Sequence, residues 1–189
     1  MNNEKASASM AAGATLVAGT VHQESGEAHG RYVVECFDKD GKLKWKDTIE
    51  NIVTTVGKNN LLDQYLGGSA YTATVRMGLK GTGTAVAADT QASHASWLEQ
   101  GGTNAPTYTG NRPTVAFSAA SAGSKATSAA VSFAITGTGT VHGCFINMNG
   151  SATKDDTTGV LYSAGDFSGG SKAVSNGDTL NVTYTATIT

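Results

Sequence analysis

The chain is short of most residues that carry chemistry. Of 189 residues only 2 are proline and 2 are cysteine, 15% are charged and 7% are aromatic. The charged share is well under the ~25% usual for a soluble domain. Two cysteines cannot build a multi-bridge disulfide scaffold. Cys36 and Cys144 each sit among strand-like residues (YVVECF and VHGCFI) and are expected as free buried thiols. The net charge of −2 gives no reason to expect nucleic acid or an anionic membrane as partner. No apolar run approaches the roughly 20 residues that span a bilayer, so no membrane partner is expected. The opening MNNEKASASMAAGATLVAGTVHQESGEAHG is not expected to act as a secretory leader. Glu4 and Lys5 cancel where a basic start is wanted, and the centre is mostly Ala and Gly.

Motifs with a reactive mechanism are missing too. His22, His29, His94 and His142 have no second ligand at metal spacing. DKDG (38–41) opens like a calcium loop but lacks the later ligands and the closing Glu, so it reads as a β-turn. KDDTTG (154–159) reads as a solvated turn in which Asp155 and Asp156 are the acids available to a cation at a protein contact. GLKGTGT and SAGSKATS lack the strand–GxxxxGK[ST]–helix order of a phosphate loop. Serines are many, but no nucleophile elbow or marked His/Asp partner accompanies them. No carboxylate pair is marked for glycoside cleavage. No catalytic residue, metal ligand or cofactor is therefore assigned.

What the chain does have is Gly, Ala, Ser and Thr arranged around short apolar runs. There are 24 glycines, and such a composition favours strands and turns. Residues 1–28 read as an extended N-terminal arm, and 29–189 as a single domain. RYVVECF (31–37) and KLKWKDTIE (42–50) form a predicted hairpin across DKDG. The period then changes. Residues 54–66 predict one short helix, with Thr54 or Thr55 as N-cap and Gly67 as its stop. YTATVRMGLK (71–80) returns to alternation. Residues 81–112 are too long for a plain connection and read as a partly helical excursion around AVAADTQASHASWLEQ. From Pro113 strands follow quickly: 114–120, 125–136, 139–148, 159–165, 171–174 and 178–189. In the last, Leu180, Val182, Tyr184, Ala186 and Ile188 alternate with Thr and Asn. The fold class implied is all-β, mainly an antiparallel β-sandwich, Ig-like or jelly-roll-like.

Several whole phrases resemble a group of tailed-bacteriophage virion structural proteins. They are NIVTTVGKNNLLDQYLGGSAYTATVRMGL, AADTQASHASW, RPTVAFSAASAGSK and LYSAGDFSGGSKAVSNGDTLNVTYTATIT. The resemblance runs from about residue 50 to the end and leaves the arm uncovered. It implies a small β-sandwich similar to head decoration, or cement, proteins, which bind the outside of the capsid. The implied location is the exterior of the phage head, after synthesis in the host cytoplasm. The implied partners are the major capsid protein and further copies of the chain, either in a homo-oligomer (dimer or trimer) or as neighbours on the capsid. The alternative is a tail or tail-fibre component, including one that binds a host-surface glycan. For the capsid or subunit interface, the candidates are Leu16 and Val17 in the arm and Trp97 and Leu98 in the excursion. Trp97 is open to two readings, an interface anchor or the centre of a local mini-core.

Overall fold

The computed structural model describes residues 26–67 and 73–189. Strand β1 (Ala28–Phe37) and strand β2 (Leu43–Glu50) form the predicted hairpin. Its turn is organised by Asp38, whose Oδ1 accepts the N–H groups of Asp40 and Lys42, both at 2.9 Å. Gly41 takes φ +78°, which a β-carbon would oppose. β1 begins at Ala28, so pairing reaches back into the segment expected as arm. Residues 1–25 of that arm, with Leu16 and Val17, lie outside the described residues.

Strand β3 (Ile52–Val53) leads into helix α1 (Thr55–Leu66). Thr54 is the N-cap, and its Oγ1 accepts the N–H of Gly57 at 3.0 Å. The same hydroxyl donates to the Leu161 carbonyl, which ties the helix start to the sheet below. Gly57 is required by close approach. A β-carbon there would meet the Tyr162 carbonyl oxygen at 2.3 Å.

The remaining strands are β4 (Val75–Lys80), β5 (Ser124–Ala126), β6 (Val131–Ala134), β7 (Gly139–Val141), β8 (Gly143–Met148), β9 (Val160–Asp166), β10 (Lys172–Val174) and β11 (Thr179–Ile188). One sheet runs β2-β1-β11-β5, with β6 also paired to β11. A second runs β3-β9-β8-β4, and β10 pairs with β7. Every pairing is antiparallel. The structure is thus all-β with a single helix among the described residues.

The core lies between the two sheets. β1 and β11 are in register Tyr32↔Tyr184, Val34↔Val182 and Cys36↔Leu180, and all six side chains are buried. Met77 and Leu79 of β4, Cys144 and Ile146 of β8 and Tyr162 of β9 join them in one cluster. The Tyr32 hydroxyl reaches across to the Ser163 hydroxyl at 2.6 Å.

Several expected elements differ: 125–136 and 139–148 are each broken into two strands. Residues 81–112 contain no helix; they form turns and bends with isolated bridges at Lys80↔Glu99 and Tyr108↔Ile135. Their polar side chains bind backbone groups locally, an alternative to helix for Ser, Thr, Asn and Asp. Residues 114–120 are not a strand but touch neighbours through single bridges, Arg76↔Thr114 and Phe117↔Thr127.

Candidate interaction surface

β8 and β9 are buried on both faces. In β8, Cys144 and Ile146 point into the main core, while Phe145 points the other way. Phe145, Leu161 and Ala164 are covered by Ala85 and Trp97 from the excursion. The excursion is therefore a lid on the outer face of the second sheet, and Trp97 is the plug. Trp97 is 2% exposed. Its ring lies 5.5 Å from that of Phe145, and His94 stacks on it at 4.0 Å. Its Nε1 donates to Asp89 Oδ2 at 2.9 Å. Of the two readings, the mini-core describes how Trp97 is packed here. Its neighbour Leu98 is 60% exposed.

Charged side chains fasten this lid from beneath. Arg112, fully buried, forms a two-pronged pair with Glu99: Nε to Oε1 at 2.9 Å and Nη2 to Oε2 at 2.6 Å. Arg112 also donates to the carbonyls of Ser151 (3.3 Å) and Asp156 (2.8 Å). Glu99 Oε2 accepts the Asp155 N–H at 2.8 Å as well. Gln91 donates to the same Asp156 carbonyl at 3.3 Å. Thus ADTQASHASW, RPT and KDDTTG meet around one buried ion pair.

Lys80, at the end of β4, is fully buried beside Asp166, and its ammonium also donates to the carbonyls of Gly81 and Gly83. Burial pushes the Lys80 pKa down, against the pull of the Asp166 carboxylate. On the outside, Ala92, His94, Leu98, Thr103, Asn104 and Thr157 border a depression of about 480 Å³. Val86, 46% exposed, adds a second apolar side chain to the excursion's surface.

The remaining candidate groups serve the fold. Asp155 Oδ2 accepts the Thr103 N–H at 2.8 Å, and Asp156 Oδ1 accepts the Thr158 N–H at 2.8 Å. The Thr158 hydroxyl and amide hold the Asp156 carboxyl below its ordinary range. No group of three or more His, Cys, Asp or Glu able to hold a metal occurs among the described residues. His142 Nδ1 lies 2.8 Å from Ser171 Oγ at the surface, but no carboxylate orients the imidazole among the described residues. Cys36 and Cys144 are free and buried. Desolvation, then the Asp178 carboxylate, pushes Cys36 up to about 12, and desolvation raises Cys144 strongly. Such thiols are poor nucleophiles. No helix among the described residues is long and apolar enough to cross a membrane.

Comparison of the chain with protein-family models, with curated proteins and with solved structures gives no match.

Sequence reasoning missed the buried charges. Lys80, Glu99 and Arg112 sit in segments that read as polar strand end or loop. One signal was available: the unbroken apolar run CFI in β8 requires a cover on each face of the sheet. That cover brings polar groups under it.

Proposed function

We propose that this chain is a non-enzymatic structural protein of a tailed-bacteriophage virion. Its role is head decoration: it binds the outer surface of the capsid and bridges or stabilises neighbouring capsomers. The observation that carries the reading is the pinned excursion. Its polar groups are turned inward to hold the fold, while Leu98 and Val86 are left at the surface. That is a scaffold presenting a fixed contact face rather than a site poised for reaction. The phage-like phrases supply the choice of partner. Two of them, those that contain Gln91 and Arg112, supply residues to the Arg112–Glu99 cluster.

The physics suits a cement. A DNA-filled head is under outward pressure, and a protein attached to two capsomers adds binding energy only to the closed shell. Attachment at two points is multivalent, so modest contacts suffice. The partner is the major capsid protein, with neighbouring copies of the chain beside it on the head. A rigid sandwich sets the spacing between them.

Binding of the purified protein to heads stripped of it, read by sedimentation and electron microscopy, tests the proposal. Saturable binding to heads, weakened at least tenfold by Leu98→Asp with unchanged thermal stability, is expected. Binding to tails or to host polysaccharide, with none to heads, would replace decoration by a tail or fibre role.

A further inference from the structure

Beneath the lid, one row of the second sheet sets an amine against a carboxylate. Lys80 ends β4, Gly143 begins β8 and Asp166 ends β9, and the register places the three side by side, Lys80↔Gly143↔Asp166. Met77 and Leu79 point into the main core, so by alternation Lys80 projects from the outer face, where Trp97 lies. Gly143 puts no side chain between its neighbours. The β4 and β9 backbones are two strand spacings apart, about 10 Å, a gap that one lysine and one aspartate close together. Lys80 Nζ is in contact with Asp166 Oδ1.

The contact is shut off from water, and its parts are held in place. Lys80 is fully buried, and its ammonium lies 5.4 Å from the centre of the Trp97 ring. The carbonyls of Gly81 and Gly83 hold Nζ. The Ala85 N–H donates to Asp166 Oδ2 at 3.2 Å. Oδ1 is buried, and no hydrogen bond of ordinary geometry reaches it, although Nζ touches it. A buried ion pair bears the cost of two desolvated charges. Burial also pulls the Lys80 pKa down, toward the neutral amine that acts as a nucleophile. Well-oriented groups held in contact react as if at about 10⁵–10⁸ M.

We propose that Lys80 and Asp166 condense to an amide, a covalent bridge from β4 to β9 across Gly143. Two protons pass from Nζ to Oδ1. The Nζ lone pair bonds to Asp166 Cγ, the Cγ–Oδ1 bond breaks, and Oδ1 leaves as water. Oδ2 becomes the amide oxygen, steadied by the Ala85 N–H while charge develops on it. The third proton stays on the nitrogen. An ammonium and a carboxylate thus become one neutral amide and one water, with no co-reactant. The product removes both buried charges, and the closed lid keeps water from reversing the step. The bridge ties two strands that are not neighbours in the sheet. It depends on these residues alone and not on the decoration reading.

The test is the intact mass of the purified full-length chain, denatured after circular dichroism has shown it to be folded. A mass one water below that calculated from the sequence is expected. Trypsin should then fail to cut after Lys80, and should yield a branched product joining the peptide that contains Lys80 to the one that contains Asp166. Lys80→Met and Asp166→Ala should each keep the full calculated mass, a readout that does not depend on how well either variant folds. A full mass for the unaltered chain overturns the inference. So does a water lost elsewhere, such as at Asp40-Gly41, with ordinary cleavage after Lys80.

Discussion

Glu99→Ala should be among the most damaging single changes outside the main core. Glu99 is 2% exposed, and its carboxylate takes two hydrogen bonds from Arg112 and one from the Asp155 N–H. Without it, the fully buried guanidinium keeps only the carbonyls of Ser151 and Asp156. An unpaired buried charge of this kind costs about 3–5 kcal/mol. For a protein of this size that is a fall of roughly 6–20 °C in Tm. Urea unfolding followed by fluorescence of Trp97 and Trp45 measures it, and the spectrum of Trp97 reports the excursion itself. The partner control is decisive. Glu99→Met with Arg112→Met removes both charges and should recover most of the loss, since apolar replacement of a buried pair is often neutral or stabilising. A loss under about 1 kcal/mol for Glu99→Ala would mean a solvated pair, and the pinned-lid argument would fail.

Other consequences follow from the same packing. Trp97→Ala should lose about 3–5 kcal/mol of stability, as large aromatic truncations do; an unchanged unfolding midpoint would show that Trp97 does not plug the sheet. Gly57→Ala would ordinarily help a helix by up to ~1 kcal/mol. Here the new β-carbon meets Tyr162 backbone, so a loss of about 1–3 kcal/mol is expected, and a gain in a denaturation curve would contradict the close contact. Burial and then the Asp178 carboxylate push the Cys36 thiol up from its ordinary value of 9.0 to about 12. The folded state therefore holds the proton longer; this contribution to stability is complete below pH 9 and declines as pH rises from 9 towards 12. Urea midpoints should fall across that window, less steeply in Cys36→Ser, and native thiol alkylation at pH 9 should be far slower than in urea. Fast native alkylation would refute the burial argument.

Where local and tertiary preferences agree, the sequence was readable. Asp38 and Gly41 fix a turn between two alternating runs, and the hairpin lies where expected. Thr54 caps and Gly67 ends the helix, so its end signals were readable, although Leu62 and Leu66 stay exposed. The strand at 178–189 alternates because one of its faces meets the core, at Leu180, Val182 and Tyr184. The excursion was not readable in detail. Its shape is set by contacts distant in sequence, such as Arg112 to Glu99 and Asp156, and Ala85 and Trp97 on Phe145. Such contacts leave no period. A tryptophan followed by a leucine gives no sign of which side chain faces inward; here it is Trp97, because Asp89 receives its indole N–H. Residues 114–120 show the opposite error. They have strand composition, but only Thr114 and Phe117 find bridge partners.

The most direct measurement is the copy number of this protein in purified virions of the phage that carries its gene, with heads and tails separated and each quantified by mass spectrometry. The decoration reading predicts hundreds of copies with the heads and essentially none with the tails. A few copies confined to the tails would contradict it and turn the question to host-surface binding.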